Sequence, residues 1–366
     1  TLARALAAGA GIALELLDRL ARFGAWIPFG HLTTETGAAS AVPWVVVLGA
    51  LLWVAGWRNT RRVALTRAIG LGAVVLWVTL VLNAGGVWAN GPTPDLRLDF
   101  LDVGQGDATV IRTPHGHTVL VDAGPRFGGR DAGRSVVAPF LARGGIDRLD
   151  AVILSHAHLD HFGGIPAVLD RVPAALLLEP GEVVADSAYL GMLDAAAADG
   201  AGWSTLRAGD TLRVDGVELV VLHPDASWAE WGLDLNEDSA VLLLRWGRFR
   251  ALLAGDAGLP AESRMRGHAG HVDLLKVGHH GSRGASGTAW LGELAPEVAV
   301  VSVGAGNRYG HPTREALDRL RAAGASVWRT DRDGSVSVAV DSGAMEVRGA
   351  GRRERYPLPA VAPDRP

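Results

Sequence analysis

The stretch that decides the fold is Ser155-His156-Ala157-His158-Leu159-Asp160-His161. It follows an apolar run, residues 150–154, which has the length and composition of a short buried strand. Four potential metal ligands follow that strand: His156, His158, Asp160 and His161. Two imidazoles at this close spacing can face one cation, while the carboxylate and the third imidazole can hold a second. Because imidazole and carboxylate together suit Zn²⁺, Mn²⁺ or Fe²⁺, the stretch predicts a metal site rather than a loop of solvated histidines.

A His-x-His-x-Asp-His segment after a strand resembles the signature of the metallo-β-lactamase fold, a hydrolase scaffold that holds two metals. The resemblance implies an α/β fold of four layers, αββα, with the ligands on loops at one edge of two facing sheets. We expect residues 95–349 to form this hydrolase domain. An α-helical membrane segment is predicted before it at residues 1–90, and a disordered tail after it at residues 350–366, which are rich in arginine and proline.

Length and composition set the outer limits of the prediction. A chain of 366 residues has room for two or three domains. The formal charge of −4 does not indicate a general polyanion-binding surface, so any basic track must be local. The absence of cysteine excludes disulfides and thiolate ligands. Because the chain begins with Thr1, we expect it to be a piece of a longer protein.

The first ninety residues carry the pattern of a membrane segment. Residues 2–29 predict an amphipathic helix with one charged stripe. Two apolar runs, at about 42–57 and 66–88, predict transmembrane helices, although each is slightly short alone and a pair of buried core helices is the alternative. The turn between them holds Arg58, Arg61, Arg62 and Arg67. The positive-inside rule puts this turn in the cytoplasm, and everything after residue 90 on the other side of the membrane.

The remaining ligands are expected at the ends of later strands. Asp256 follows an apolar run and resembles the carboxylate that bridges the two metals in this fold. Either His279 or His280 should complete the second site; we prefer His279 as the ligand, with His280 facing the substrate. Where the fold usually has a third histidine in the first site, this chain has Asn236, a weaker ligand, and His223 is the possible substitute.

Four further segments narrow the resemblance. They are Gly104-Gln-Gly-Asp-Ala108, Asn236-Glu-Asp-Ser239, Leu274-Leu-Lys-Val-Gly-His-His-Gly-Ser282 and Asn307-Arg-Tyr-Gly-His-Pro312. In combination they resemble the C-terminal domain of the ComEC family of DNA-uptake channel proteins, over residues 97–340. This resemblance implies a nuclease in a DNA importer, which degrades one strand of incoming DNA outside the membrane while the other strand enters.

The resemblance also implies roles for residues around the metals. The candidate catalytic residues are Asp160, His280 and His311, the last two to protonate or orient the leaving oxygen. Asp107 and Asp122 are expected to orient the ligands, with turn capping as the alternative. The candidates for holding the substrate are Gln105, Asp107, Lys276, Ser282 and Asn307. Two divalent metal ions, Mn²⁺ or Zn²⁺, are the expected cofactors.

Three functions compete on the sequence alone. They are a nuclease in a DNA importer, a metallohydrolase of another phosphodiester such as a phosphocholine ester, and a non-enzymatic domain that braces the channel. The intact ligand set argues against the third function, and the predicted membrane segment argues against the second. The expected partners are DNA, the membrane, the N-terminal remainder of the same channel and a second copy of the chain. The expected location is the cell membrane, multi-pass, with the hydrolase domain extracytoplasmic.

Overall fold

The structure is a computed structural model of the chain, and it describes residues 96–181, 184–227 and 234–358. The predicted membrane segment at residues 1–90 lies outside these ranges and stays a prediction. Within the described ranges, no helix has both the length and the apolar character needed to cross a membrane.

The described residues form eighteen strands. In chain order they are β1 (Leu96–Phe100), β2 (Thr109–Arg112), β3 (Thr118–Val121), β4 (Arg126–Phe127), β5 (Arg130–Asp131), β6 (Ala151–Ile153), β7 (Leu176–Glu179), β8 (Gly202–Thr205), β9 (Thr211–Val214), β10 (Val217–His223), β11 (Val241–Trp246), β12 (Phe249–Leu253), β13 (Leu274–Lys276), β14 (Val298–Val301), β15 (Ser326–Arg329), β16 (Val336–Val340), β17 (Ala344–Gly349) and β18 (Arg352–Pro357).

The helices of the described ranges are short. They are α1 (Ala138–Arg143), α2 (Leu159–Phe162), α3 (Ile165–Leu169), α4 (Ser187–Ala198), α5 (Leu259–Met265), α6 (Thr288–Leu294), α7 (Arg314–Ala322) and α8 (Thr330–Asp333). A π-helical turn, Gly133–Val137, leads into α1, and a 3₁₀ turn, Gly278–Gly281, follows β13. The two longest helices begin with side-chain caps: Asp186 accepts the Ala188 N–H, and Thr313 accepts the Ala316 N–H.

Two mixed sheets face each other. The nine-stranded sheet has the order β18-β17-β16-β1-β2-β3-β6-β7-β8, and the seven-stranded sheet has the order β15-β14-β13-β12-β11-β10-β9. β4 and β5 form a separate hairpin. In the first sheet β3, β6, β7 and β8 are parallel, and in the second β12 to β15 are parallel. Parallel strands buried on both faces read as continuous apolar runs, as β14 does.

Three hydrophobic clusters lie between the layers and pack them together. The central cluster joins the sheets, packing Leu98 and Val338 of the nine-stranded sheet with Leu242 and Leu253 of the seven-stranded sheet. The outer face of the first sheet packs against α1 to α4, and the outer face of the second packs against α5 to α7. Because helices cover both outer faces, the predicted four-layer αββα fold is confirmed.

The tail prediction was wrong for part of its length. Arg352–Pro357 forms β18, which pairs antiparallel with β17 at the edge of the nine-stranded sheet. Its side chains alternate between half-buried and exposed positions, and the Arg352 guanidinium lies 3.8 Å from the centre of the Trp328 ring. The arginines therefore pair and stack on the sheet edge instead of marking disorder, and the hydrolase domain extends beyond residue 349.

The loop that follows β13 is fastened by charged side chains. Glu262 of α5 accepts the backbone N–H groups of Ser286 and Gly287. Arg319 of α7 donates to three backbone carbonyls within residues 283–286. Burial raises the pKa of Glu262 to about 7, against the lowering effect of its two N–H donors. The loop thus depends on a carboxyl group whose ionisation in the folded state is costly.

We predict that Glu262 makes the free energy of unfolding depend on pH. A carboxyl whose folded pKa is raised binds more protons when folded, so its contribution to stability falls as pH rises from about 4.5 to about 7. A glutamine side chain cannot ionise, so Glu262→Gln should reduce this decrease in the free energy of unfolding by up to about 3 kcal/mol. Urea denaturation across that range measures it.

Glu293→Gln is the matched control, because Glu293 also accepts backbone N–H groups, those of Gly267 and Gly270, but at the surface. If both substitutions changed the pH dependence of the free energy of unfolding equally, Glu262 would have no special role in it.

Candidate metal centre

The predicted ligands meet where strands of both sheets end. The His156 to His161 segment follows β6 of the nine-stranded sheet, and Asp256 and His280 follow β12 and β13 of the seven-stranded sheet. Asp122 follows β3, which lies beside β6. Since the carboxyl ends of neighbouring parallel strands lie at one edge of a sheet, both sheets contribute to one cluster.

The buried centre of this cluster consists of overlapping ligand groups. His161 lies with His156 and Asp256 in one group, and with Asp160 and His280 in another. Within each group the potential ligand atoms lie within 4.8 Å of one another. Asp256 also joins His280 and Asp107 in a further group. Asp256 therefore lies between a part that includes His156 and a part that includes His280, the position expected of a bridging carboxylate.

Hydrogen bonds on the far side of two imidazoles fix which nitrogen faces the centre. His161 Nδ1 donates to Asp122 Oδ2 at 2.9 Å, and His280 Nδ1 donates to the Ser302 carbonyl at 2.9 Å. The Nε2 atoms are left facing the carboxylates: His161 Nε2 is 3.4 Å and His280 Nε2 is 3.5 Å from Asp256 Oδ2. This is the arrangement that metal-binding histidines adopt, with the outer nitrogen oriented by an acceptor.

Unsatisfied polar atoms test whether the centre fits a cation. Among the buried side-chain atoms of the described residues, His161 Nε2, His280 Nε2 and Asp256 Oδ1 have no hydrogen-bond partner. Leaving a buried polar atom unpaired typically costs about 1–3 kcal/mol. Imidazole nitrogens and a carboxylate oxygen are ligands of Zn²⁺ and Mn²⁺. The residues present therefore fit the divalent cations that the sequence predicted.

The three predicted ligands of the first site are also brought together. His156 Nε2 lies 2.9 Å from His158 Nδ1, which lies 2.9 Å from Asn236 Oδ1. His223 faces elsewhere, since its Nε2 donates to the Glu237 carbonyl at 2.7 Å. Asn236, not His223, therefore occupies the place of the missing histidine, and its role as a ligand stays a prediction.

The structure reverses our preference between the two adjacent histidines. His280 is buried and lies 3.5 Å from both Asp160 and Asp256, whereas the side chain of His279 is 32% exposed and its Nε2 is 3.9 Å from Asp256. The ring of His279 instead lies edge-on to His311, with centroids 5.7 Å apart. The inner position belongs to His280, because the Ser302 carbonyl anchors it there, and His279 lies toward the opening.

Lys276 does not reach the opening, so the expectation that it holds a substrate phosphate is wrong. Its side chain is buried, forms an ion pair with Asp107, and donates to the Gly255 carbonyl at 3.0 Å. Asp107 likewise lies inside the protein, 3.6 Å from His280 Nδ1. Both side chains are therefore buried within the cluster of candidate ligands and are not exposed to solvent.

The side chains of two other substrate candidates hydrogen-bond to backbone groups near the cluster. The Asn307 side chain donates to the carbonyls of Gly304 and His311, and accepts the N–H groups of Tyr309 and His311. Gln105 Oε1 accepts the Gly304 N–H at 3.2 Å. Their amides shape the rim of the site.

Ser282 Oγ, the last of these candidates, accepts the Gly284 N–H at 3.2 Å. Substrate contact by Ser282 stays a prediction.

Sequence reasoning missed two supporting groups. Ser155 Oγ donates to Asp122 Oδ2 at 2.7 Å, and the Ser155 N–H donates to Asp122 Oδ1 at 2.8 Å, so Ser155 positions the carboxylate that orients His161. Its place at the head of the motif was the available signal. Ser302 acts through its main-chain carbonyl, which no residue type could reveal.

Charges within the cluster shift the pKa of its members in opposite directions. Burial favours a neutral Asp256, but the charges of His280 and His161 hold its pKa well below the ordinary value. Burial disfavours a charged His161, yet the carboxylates of Asp256 and Asp122 raise its pKa well above the ordinary value. The ionised carboxylates are thus compensated by imidazolium charge, and a bound cation would take the place of those protons.

Comparison with known proteins agrees with this geometry. Residues 101–305 match the model of the metallo-beta-lactamase superfamily. The chain belongs to this superfamily. A curated relative, ComE operon protein 3 of Bacillus subtilis, is 32% identical over 254 residues, which cover 66% of this chain and 32% of the relative. Competence protein ComA of Neisseria gonorrhoeae is 30% identical over 260 residues, 70% of this chain and 34% of the relative.

These homologues confirm the resemblance of this metallo-beta-lactamase domain to the ComEC family. The chain spans about a third of the length of these two curated relatives. Among solved structures, it is similar to the metallo-beta-lactamase fold protein YhfI from Bacillus subtilis, with 13% identity and a TM-score of 0.44, over 67% of this chain and all of that protein.

We predict that His280→Ala weakens metal binding much more than His279→Ala. Only His280 is buried between Asp160 and Asp256 with its outer nitrogen anchored. Loss of a group outside the ligand shell typically costs roughly 10–100-fold in affinity, and loss of His280 should exceed this range at one of the two sites. Calorimetric titration of the two variants with Zn²⁺ and with Mn²⁺ measures the difference. A larger loss of metal affinity in His279→Ala would mean that His279, and not His280, is the ligand.

Proposed function

We propose that this chain contains the nuclease of a DNA-uptake channel, a metal-dependent hydrolase that cleaves phosphodiester bonds in the strand of incoming DNA that is not transported. The observation that carries the proposal is the buried Asp256 carboxylate between two groups of potential ligands. An arrangement of two neighbouring cation sites is used by phosphatases and nucleases for in-line displacement at phosphorus. The homologous competence proteins give the biological setting.

Some residues of the cluster would hold the cations, and others would position the residues that hold them. His156, His158 and Asn236 would hold one divalent cation, and Asp160, His161 and His280 the other, with Asp256 between them. Bound cations there supply Lewis-acid polarisation of a phosphoryl oxygen and lower the pKa of water. Asp122 keeps the Nε2 lone pair of His161 aimed at the centre.

His311 is the candidate for positioning the leaving oxygen. It is half-buried and lies beside His279. A ring nitrogen in that place can form a hydrogen bond with the oxygen that departs from phosphorus.

We predict that the chain cleaves DNA in the presence of Mn²⁺ or Zn²⁺, and that Asp256→Asn abolishes the activity. Asn removes the charge shared by both ligand groups at nearly constant size. Its effect should therefore exceed the roughly 10–100-fold typical of residues outside the ligand shell. Fluorescently labelled single-stranded and double-stranded DNA and a phosphocholine ester serve as the substrates.

Asp318→Asn, on the exposed surface of α7, is the control for loss of one carboxylate. Faster hydrolysis of the phosphocholine ester than of DNA would replace the proposed substrate. Full DNA cleavage by Asp256→Asn would refute the proposed centre.

We also propose that this domain lies outside the membrane of the cell, attached to a multi-pass membrane segment. The support is the sequence pattern of residues 1–90, with four arginines between two apolar runs. A reporter enzyme that works only after export, fused after residue 92, should be active. An active cytoplasmic reporter at the same position would reverse the orientation.

A further inference from the structure

An aromatic side chain without an assigned role lies at the rim of the metal centre. Tyr309, in the loop after β14, is 54% exposed. Its neighbour Arg308 is exposed as well. Both belong to the Asn307-Arg-Tyr-Gly-His-Pro312 segment, in which Asn307 shapes the loop and His311 faces the site.

Contacts of the loop orient Tyr309 beside His311. The Tyr309 N–H donates to Asn307 Oδ1 at 3.2 Å. Its ring is nearly parallel to the ring of His311, with an interplanar angle of 16° and centroids 6.0 Å apart. His311 in turn contacts His279, whose Nε2 is 3.9 Å from Asp256. A continuous row of rings therefore leads from the exposed tyrosine to the bridging carboxylate.

Arg308 adds a positive charge to this aromatic surface. Its guanidinium lies 5.0 Å from the centre of the Tyr309 ring and donates to the phenolic oxygen at 3.0 Å. Because that partner is neutral, the charge of Arg308 remains available to an anion. A flat π face and an exposed guanidinium thus lie side by side within one short loop.

We propose that Tyr309 is a stacking platform for a nucleobase of the single DNA strand being cleaved, and that Arg308 binds a phosphate of the same strand. This inference rests on the proposed nuclease function and names how its substrate is held. Stacking on an aromatic ring accepts any base, because every base has a π face. A platform of this kind suits an enzyme that must degrade DNA of any sequence.

The charge beside the ring distinguishes this ligand from a choline group. Quaternary ammonium groups also bind aromatic faces, but the Arg308 guanidinium, at the phenolic end of the Tyr309 ring, would repel them. A base and its neighbouring phosphate gain from both residues. The pair therefore favours a nucleic-acid strand over a phosphocholine ester.

Binding tests the platform independently of cleavage. Fluorescence anisotropy would compare a labelled oligodeoxythymidylate with an oligomer of abasic residues of equal length, in the presence of EDTA so that no metal supports turnover. The wild-type chain should bind the oligomer with bases more tightly. Tyr309→Ala should weaken that binding by about tenfold or more, as expected for loss of base stacking, and should leave binding of the abasic oligomer unchanged.

Three variants separate stacking from other effects of substitution. Tyr309→Phe keeps the π face and should bind like the wild type. Trp203→Ala removes a comparably exposed aromatic ring, 58% exposed in edge strand β8, and should have no effect. Arg308→Ala should weaken binding of both oligomers and reduce its dependence on salt, because a phosphate contact is electrostatic. Thermal unfolding of each variant checks that the fold is kept.

Cleavage then separates the inference from the proposed function. With Mn²⁺, Tyr309→Ala should raise the KM for the oligomer with bases by about tenfold or more. Equal binding of both oligomers by the wild type, or unchanged binding by Tyr309→Ala, would overturn the platform even if DNA is cleaved. Base-dependent binding that requires Tyr309, without cleavage of either oligomer, would keep the platform and refute the nuclease.

Discussion

The constraint on which this structure depends is the burial of an ionised carboxylate, Asp256, at the junction of the two sheets. An isolated charge in that place would be very costly. Imidazoles from His156, His161 and His280 surround it, and its backbone N–H donates to Ser239 Oγ at 3.0 Å. These partners come from loops of both sheets, so the sheets must be packed correctly before the charge is compensated.

A buried ion pair lies next to Asp256 and its imidazole partners. Lys276 and Asp107 form an ion pair behind the ligands, although a buried pair of this kind seldom adds net stability, because desolvation offsets its attraction. The pair instead positions its neighbours, since Asp107 lies 3.6 Å from His280 Nδ1. The loop that carries Asp107 packs directly against α2. An added Cβ at Gly106, where φ is +144°, would overlap the Asp160 carbonyl oxygen.

The resemblance of the sequence to a known family predicted the four layers and most of the cluster, and the position of each ligand after an apolar strand agrees with it. It failed where the answer depended on a distant partner. His280 takes the inner position because it donates to the Ser302 carbonyl. Lys276 is buried because it pairs with Asp107, which lies 169 positions away in the chain. The edge strand at residues 352–357 was read as disorder because its arginines pair only once β17 is beside them.

Exposure divides the cluster into an inner part and an outer part. His156, His161, Asp256 and His280 are almost fully buried and anchored by hydrogen bonds or ion pairs, so they define the positions of the ligand atoms. By contrast, the Asp160 and His279 side chains are 35% and 32% exposed. Among these residues the outer part is the one open to solvent, and it continues through His311 to Tyr309. Rigid geometry and access are thus assigned to different residues, and substitutions on the outer side can change substrate preference without disturbing the ligand frame.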